Sequence, residues 1–175
     1  TEGKIEIYED DFYDSSLSAM GNDVRERTML GEKMGLGNWI IQVDADEIFL
    51  DFPKFVKTLE KYNHFLRNPE KNKVQIGAFL VHLYKYTENG ILYVNKPHKF
   101  MLATNYPNYK WARQTKERII YVDTLLLHET LARTEEQIRK KTRNWGHSHE
   151  VNNTFLDKWI AVNETNYKQY RNFYY

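Results

Sequence analysis

Trp39-Ile40-Ile41-Gln42-Val43-Asp44-Ala45-Asp46-Glu47-Ile48-Phe49 decides how this chain is read. Its apolar, β-branched opening predicts a buried strand, and that strand empties into Asp44, Asp46 and Glu47. Three carboxylates at the mouth of a buried sheet demand compensation. Either a cation is shared between them, or at least one pKa is driven up. Asp44 and Asp46 are two residues apart, so in an extended segment they point to the same side. This suits a hard divalent cation, which takes oxygen ligands and keeps positions open for waters and substrate phosphates. A metal–diphosphate site is the first expectation. The plainer alternative is a loop edge or a helix N-cap. Asp51, with Pro53 just inside the next apolar stripe, already supplies that cap.

The chain has 175 residues, about one domain's worth. Apolar residues make up 41% and aromatics 15%, enough for a sizeable core. The formal net charge of +1 gives no general electrostatic argument for nucleic acid or membrane. Cysteine is absent, which excludes disulfides and thiolate metal sites. No apolar run approaches the roughly 20 residues of a spanning helix. The opening Thr1-Glu2-Gly3-Lys4 has no signal-peptide character.

Working outward, Lys4–Tyr8 alternates like a short strand. Asp23-x-x-Glu26 resembles a capping box opening a helix that ends near Gly35 and Gly37. Phe52, Phe55, Val56, Leu59, Tyr62 and Leu66 recur at helical spacing, predicting a helix over Pro53–Arg67. Val74–Tyr86 reads as a long strand, Asn89-Gly90 as a hairpin turn and Ile91–Val94 as the returning strand. Lys96–Lys116 reads as a loop that carries Lys110, Trp111 and Arg113, where the Trp111 face could stack on a sugar or acceptor. Ile119–Leu127 is a second apolar strand, ending at His128-Glu129. Thr134-x-x-Gln137 is another capping box, opening a helix to about Trp145 with Gly146 as its stop; Arg133 and Thr134 are expected to be structural. A last helix covers Phe155–Tyr170. The alternation predicts one α/β domain with a mixed sheet flanked by helices.

Ligands in open α/β sheets bind beyond the carboxyl ends of strands. Here one apolar strand ends in Asp44-x-Asp46-Glu47 and another in His128-Glu129, so a shared edge would gather an imidazole and four carboxylates. A helix bearing Arg25 and Arg27, an apolar strand and Val43-Asp44-Ala45-Asp46-Glu47 together resemble the centre of a family 2-type glycosyltransferase of GT-A fold. His128-Glu129-Thr130-Leu131-Ala132-Arg133-Thr134, followed by Asn144-Trp145-Gly146-His147-Ser148, is similar to the distal part of certain bacterial members.

The resemblance implies roles position by position. Asp46 would bind the divalent metal, Mn²⁺ or Mg²⁺, that bridges the donor's diphosphate. Asp44 would assist it, face the nucleotide ribose or stabilise the loop. His128 would add a metal or phosphate ligand. Arg27 would lie beside the nucleotide, and His147 on a closing loop would reach the diphosphate. Glu129 would be the base that deprotonates the acceptor during inverting transfer, with Asp123 and Glu47 as rivals. The implied partners are a nucleotide-sugar donor and a glycan or lipid-linked acceptor, in bacterial polysaccharide biosynthesis. The implied location is cytoplasmic, with peripheral association at the inner face of the membrane left open. Such enzymes open with a βαβ segment that binds the nucleotide base. Nothing before Lys4 supplies it, so about the first third of the domain is expected to be missing. Two other readings stay open: a metal-dependent phosphohydrolase with Asp44 as nucleophile, and a non-catalytic carbohydrate- or partner-binding module.

Overall fold

The computed structural model describes residues 5–9, 12–144 and 154–175. Among these, helices α1 (Ala19–Met34), α2 (Phe52–Glu60), α3 (Glu135–Asn144) and α4 (Phe155–Ala161) flank seven strands. The strands are β1 (Ile40–Ile41), β2 (Glu47–Phe49), β3 (Val74–Tyr86), β4 (Ile91–Val94), β5 (His98–Thr104), β6 (Arg118–His128) and β7 (Phe173–Tyr174). The architecture is α/β with a mixed sheet, as the alternation of elements predicts.

β3 is the spine. It runs parallel to β6 from Val74↔Arg118 to His82↔His128, and antiparallel to β5 from Gln75↔Thr104 to Leu80↔His98. Beyond Leu83 it pairs with β4 instead, and β7 adds outside β4. β1 lies outside β5, while β2 lies outside β6. Residues 42–46 therefore pass from one margin of the sheet to the other. Four inter-strand spacings of about 4.8 Å amount to roughly 19 Å in a flat sheet. Five residues reach that far only when fully extended, yet Ala45 and Asp46 lie in a turn. The sheet must curl for the acidic turn to join β1 to β2.

The main core is built on one sheet face, where Phe55 and Leu59 of α2 meet Ile76, Ala78, Leu80, Leu102, Val122 and Leu126. A second core joins Trp159 and Val162 to Tyr84, Leu92 and Ile138. No helix among the described residues is long and apolar enough to cross a membrane.

Several boundaries differ from the sequence reading, each for a physical reason. Trp39–Phe49 is not one central strand: pairing with β5 lasts for Ile40 and Ile41 only, and β2 starts anew against β6. The 96–116 stretch holds β5, whose Met101, Leu102 and Ala103 are buried between its two prolines. α1 starts earlier than the Asp23 box, because Ser18 Oγ accepts from Gly21 N at 3.0 Å, while Asp23 pairs with Arg27. The helix expected to end at Arg67 stops at Glu60, with a 3₁₀ turn over Asn63–Arg67. α4 stops at Ala161 because Lys85 Nζ takes the carbonyls of Trp159, Ile160 and Val162 at 3.0, 2.9 and 2.8 Å. Residues 5–9 carry no strand. The predicted helix end at Trp145 and Gly146 lies outside the described residues.

The second capping box holds as read. Thr134 Oγ1 accepts from Gln137 N at 3.3 Å, and Gln137 Oε1 accepts from Thr134 N at 3.0 Å. Thr134→Ala is expected to cost about 1 kcal/mol, measured as a lower thermal midpoint. A variant as stable as the parent would show that this box contributes nothing.

Candidate functional site

The acidic turn meets arginines first. Arg113 donates to both oxygens of Glu47, Nη1 to Oε2 at 2.9 Å and Nη2 to Oε1 at 2.5 Å. The Glu47 side chain is only 1% exposed. Arg113 also reaches Asp44 Oδ2 at 2.6 Å and the Gln42 carbonyl at 3.2 Å, with its guanidinium 5.2 Å from the centre of the Phe100 ring. Arg27 holds the other oxygen of Asp44 at 3.0 Å and Asp23 at 2.7 Å. Burial alone would raise the Asp44 carboxyl, but Arg113 and Arg27 outweigh it and hold it below the usual carboxylate range.

A guanidinium is the cation shared between Asp44 and Glu47, one of the two ways of balancing the carboxylates that the sequence allowed. Both Asp44 oxygens lie on arginines, which tie the turn to α1. In the sequence Arg113 reads only as a loop neighbour of Trp111, not as the partner of the acidic turn. It sits in the 110–114 turn, which Gln75 pins to β3 by accepting from Thr115 N at 3.1 Å and donating to the Arg113 carbonyl at 2.8 Å. Only the need for a buried counter-charge foretold it.

Arg27 lies between α1 and the turn. A cleft of about 670 Å³ opens there, lined by Asp23, Glu26, Arg27 and Lys33 of α1 and by Gln42 and Asp44.

Asp46 occupies a second lobe. The β2–β6 register sets Glu47 opposite His128, and Glu129 N donates to the Asp46 carbonyl at 2.8 Å. Asp46 Oδ1 lies 3.3 Å from His128 Nε2. Its Oδ2 lies 3.2 Å from Arg133 Nη2 and 4.0 Å from Lys141 Nζ. Arg133, expected to be structural, thus faces the acidic turn. The far side of the His128 ring meets His82, Nδ1 to Nδ1 at 3.1 Å.

Burial first, then the neighbouring His128 and His98, pull the His82 imidazole down to about 4. An unfolded histidine titrates near 6.5. Between those values the unfolded chain takes up a proton that the folded chain refuses. Stability is therefore expected to fall as pH drops from about 6.5 towards about 4, and then to level off. His82→Phe should flatten that part of the profile, measured as denaturant midpoints near pH 7 and near pH 4.5. A decline of unchanged size would reject His82 as its source.

Glu129 follows the last residue of β6, and Tyr86 donates its hydroxyl to the Glu129 carboxylate. The rival Asp123 is exposed and paired with Lys54 at 2.6 Å, and the rival Glu47 is locked by Arg113. His147 lies outside the described residues.

Among the described residues, no three His, Asp or Glu side chains gather where one metal ion could take all of them. Asp46 and His128 are the carboxylate and imidazole that face each other in this crevice. An ion that keeps several waters and takes substrate phosphates needs few protein ligands. No family model, curated protein or solved structure matches this chain.

Proposed function

We propose that the chain carries the acidic-turn half of a GT-A-type glycosyltransferase site, which moves a sugar with inversion from a nucleotide-sugar donor to a glycan or lipid-linked acceptor. The observation that carries this reading is the 3.3 Å approach of Asp46, in the turn before β2, to His128 at the end of β6. Asp46 and His128 would hold Mn²⁺ or Mg²⁺, and such an ion supplies Lewis-acid stabilisation of a departing nucleoside diphosphate. Asp44, clamped by Arg27 and Arg113, keeps the turn in shape and forms one wall of the cleft beside α1. That cleft has the volume of a small-molecule site and is the proposed place for the nucleoside.

Glu129 is the proposed base. Asp44, Asp46 and Glu47 all have oxygens engaged by cationic side chains. The partner described for Glu129 is a neutral phenol. The phosphohydrolase reading loses ground, because Asp44 would have to attack with both oxygens held by guanidiniums.

The test is nucleoside diphosphate release from a panel of nucleotide sugars, with acceptor, in Mn²⁺ and in chelator. Glu129→Gln is expected to cut turnover by roughly 10²-fold or more while leaving donor affinity unchanged, since a base acts in the chemical step. Transfer that persists undiminished in chelator would reject the metal-dependent reading. Hydrolysis of phosphate monoesters instead would put the phosphohydrolase in its place.

A further inference from the structure

We propose that Arg133 and Lys141 form a diphosphate clamp in which the Asp46 carboxylate stands in for the ligand until the ligand arrives. Both cations are anchored on one residue. Arg133 Nε donates to the Thr130 carbonyl at 3.3 Å, and Lys141 Nζ donates to the same carbonyl at 3.0 Å and to Thr130 Oγ1 at 2.7 Å. Both turn to a single oxygen, Asp46 Oδ2, at 3.2 and 4.0 Å. Their side chains are 34% and 22% exposed, so a solute can reach them.

Among the described residues, two cations converge on one carboxylate, and a third group, His128, touches its other oxygen. The described carboxylates nearby have other partners: Asp44 and Glu47 on Arg113, Glu129 on Tyr86. A guanidinium fork beside an ammonium suits phosphate oxygens, and two phosphoryl groups match two cations. This deepens the proposed donor site by naming the side chains that receive its diphosphate. It can be tested without any sugar transfer.

The experiment is calorimetric titration of the protein with inorganic pyrophosphate in chelator, at fixed moderate salt. Arg133→Ala and Lys141→Ala are each expected to weaken binding about 10-fold, the worth of one charge-assisted contact. Asp46→Asn is expected to tighten it several-fold, because it removes the internal competitor. Thermal midpoints check that each variant is folded, and Arg133→Gln and Lys141→Gln replace any alanine variant that is not. Pyrophosphate affinity that ignores both cation changes would overturn the clamp. So would an Asp46→Asn variant that binds pyrophosphate more weakly than the parent.

UDP and GDP are expected to bind at least as tightly as pyrophosphate, and orthophosphate more weakly. Preference for geranyl diphosphate over both nucleotides would move the clamp to a lipid-linked acceptor and overturn its donor assignment. A confirmed clamp with no turnover of any nucleotide sugar would defeat the transferase reading and leave the clamp standing.

Discussion

Asp46→Asn is expected to lower nucleotide-sugar turnover by roughly 10²- to 10³-fold in saturating Mn²⁺, the scale of losing one preorganised electrostatic contact in the transition state. The substitution keeps the shape of the side chain and removes its charge. One oxygen faces His128 and the other faces Arg133, so the amide loses both the hard-cation ligand and the ion pair. Folding should hardly notice, because the carboxylate is partly exposed and its backbone bond to Glu129 remains. The discriminating measurement is initial rate beside thermal midpoint. A rate within about 3-fold of the parent at unchanged midpoint would remove Asp46 from the chemistry.

Arg113→Met should have the largest effect on stability. It leaves the Glu47 carboxylate, with its side chain 1% exposed, buried beside no other cation in the ion pairs described. Breaking a buried pair from one side typically costs about 3–5 kcal/mol, or on the order of 10 °C for a chain of this size. Adding Glu47→Gln should recover a good part of that loss, since the penalty comes from the stranded charge and not from the missing contact. Denaturant unfolding of the single and double variants measures both. A single-variant loss below about 1 kcal/mol, or no recovery in the double variant, would mean that water reaches Glu47.

Much of this arrangement was legible in the residues. Val74–Tyr86 and the Asn89-Gly90 hairpin follow from local pattern, and the strand ending at His128 follows from its apolar run. His128 does end an apolar strand, but Asp46 stands before β2 and not at the end of a strand, so their approach comes from the antiparallel β2–β6 pairing. What was not legible came from distant residues. Lys85 stops α4 from another element, and no glycine or proline marks the place. Arg113 answers a need visible at Asp44–Glu47, but its supplier lay in a stretch whose prolines and basic residues read as loop. The same two prolines hid β5, although Phe100-Met101-Leu102-Ala103 is an apolar run between them. Arg133 and Lys141 looked like ordinary charged residues at the start and end of a helix; only the fold turns them towards Asp46.

β3 has a consequence for the order of assembly. Its partner β4 follows at once, whereas its parallel partner β6 arrives only after β4, β5 and the 110–114 turn have been laid down. A hairpin closes in microseconds, while non-local and parallel pairing waits on loop-closure entropy. Refolding should therefore protect the β3–β4 amides early and the Glu129 amide, which bonds across to Asp46, among the last. A crevice completed last is also the first to open in the native state. The acidic turn would then breathe against β6 while the hairpin stays shut.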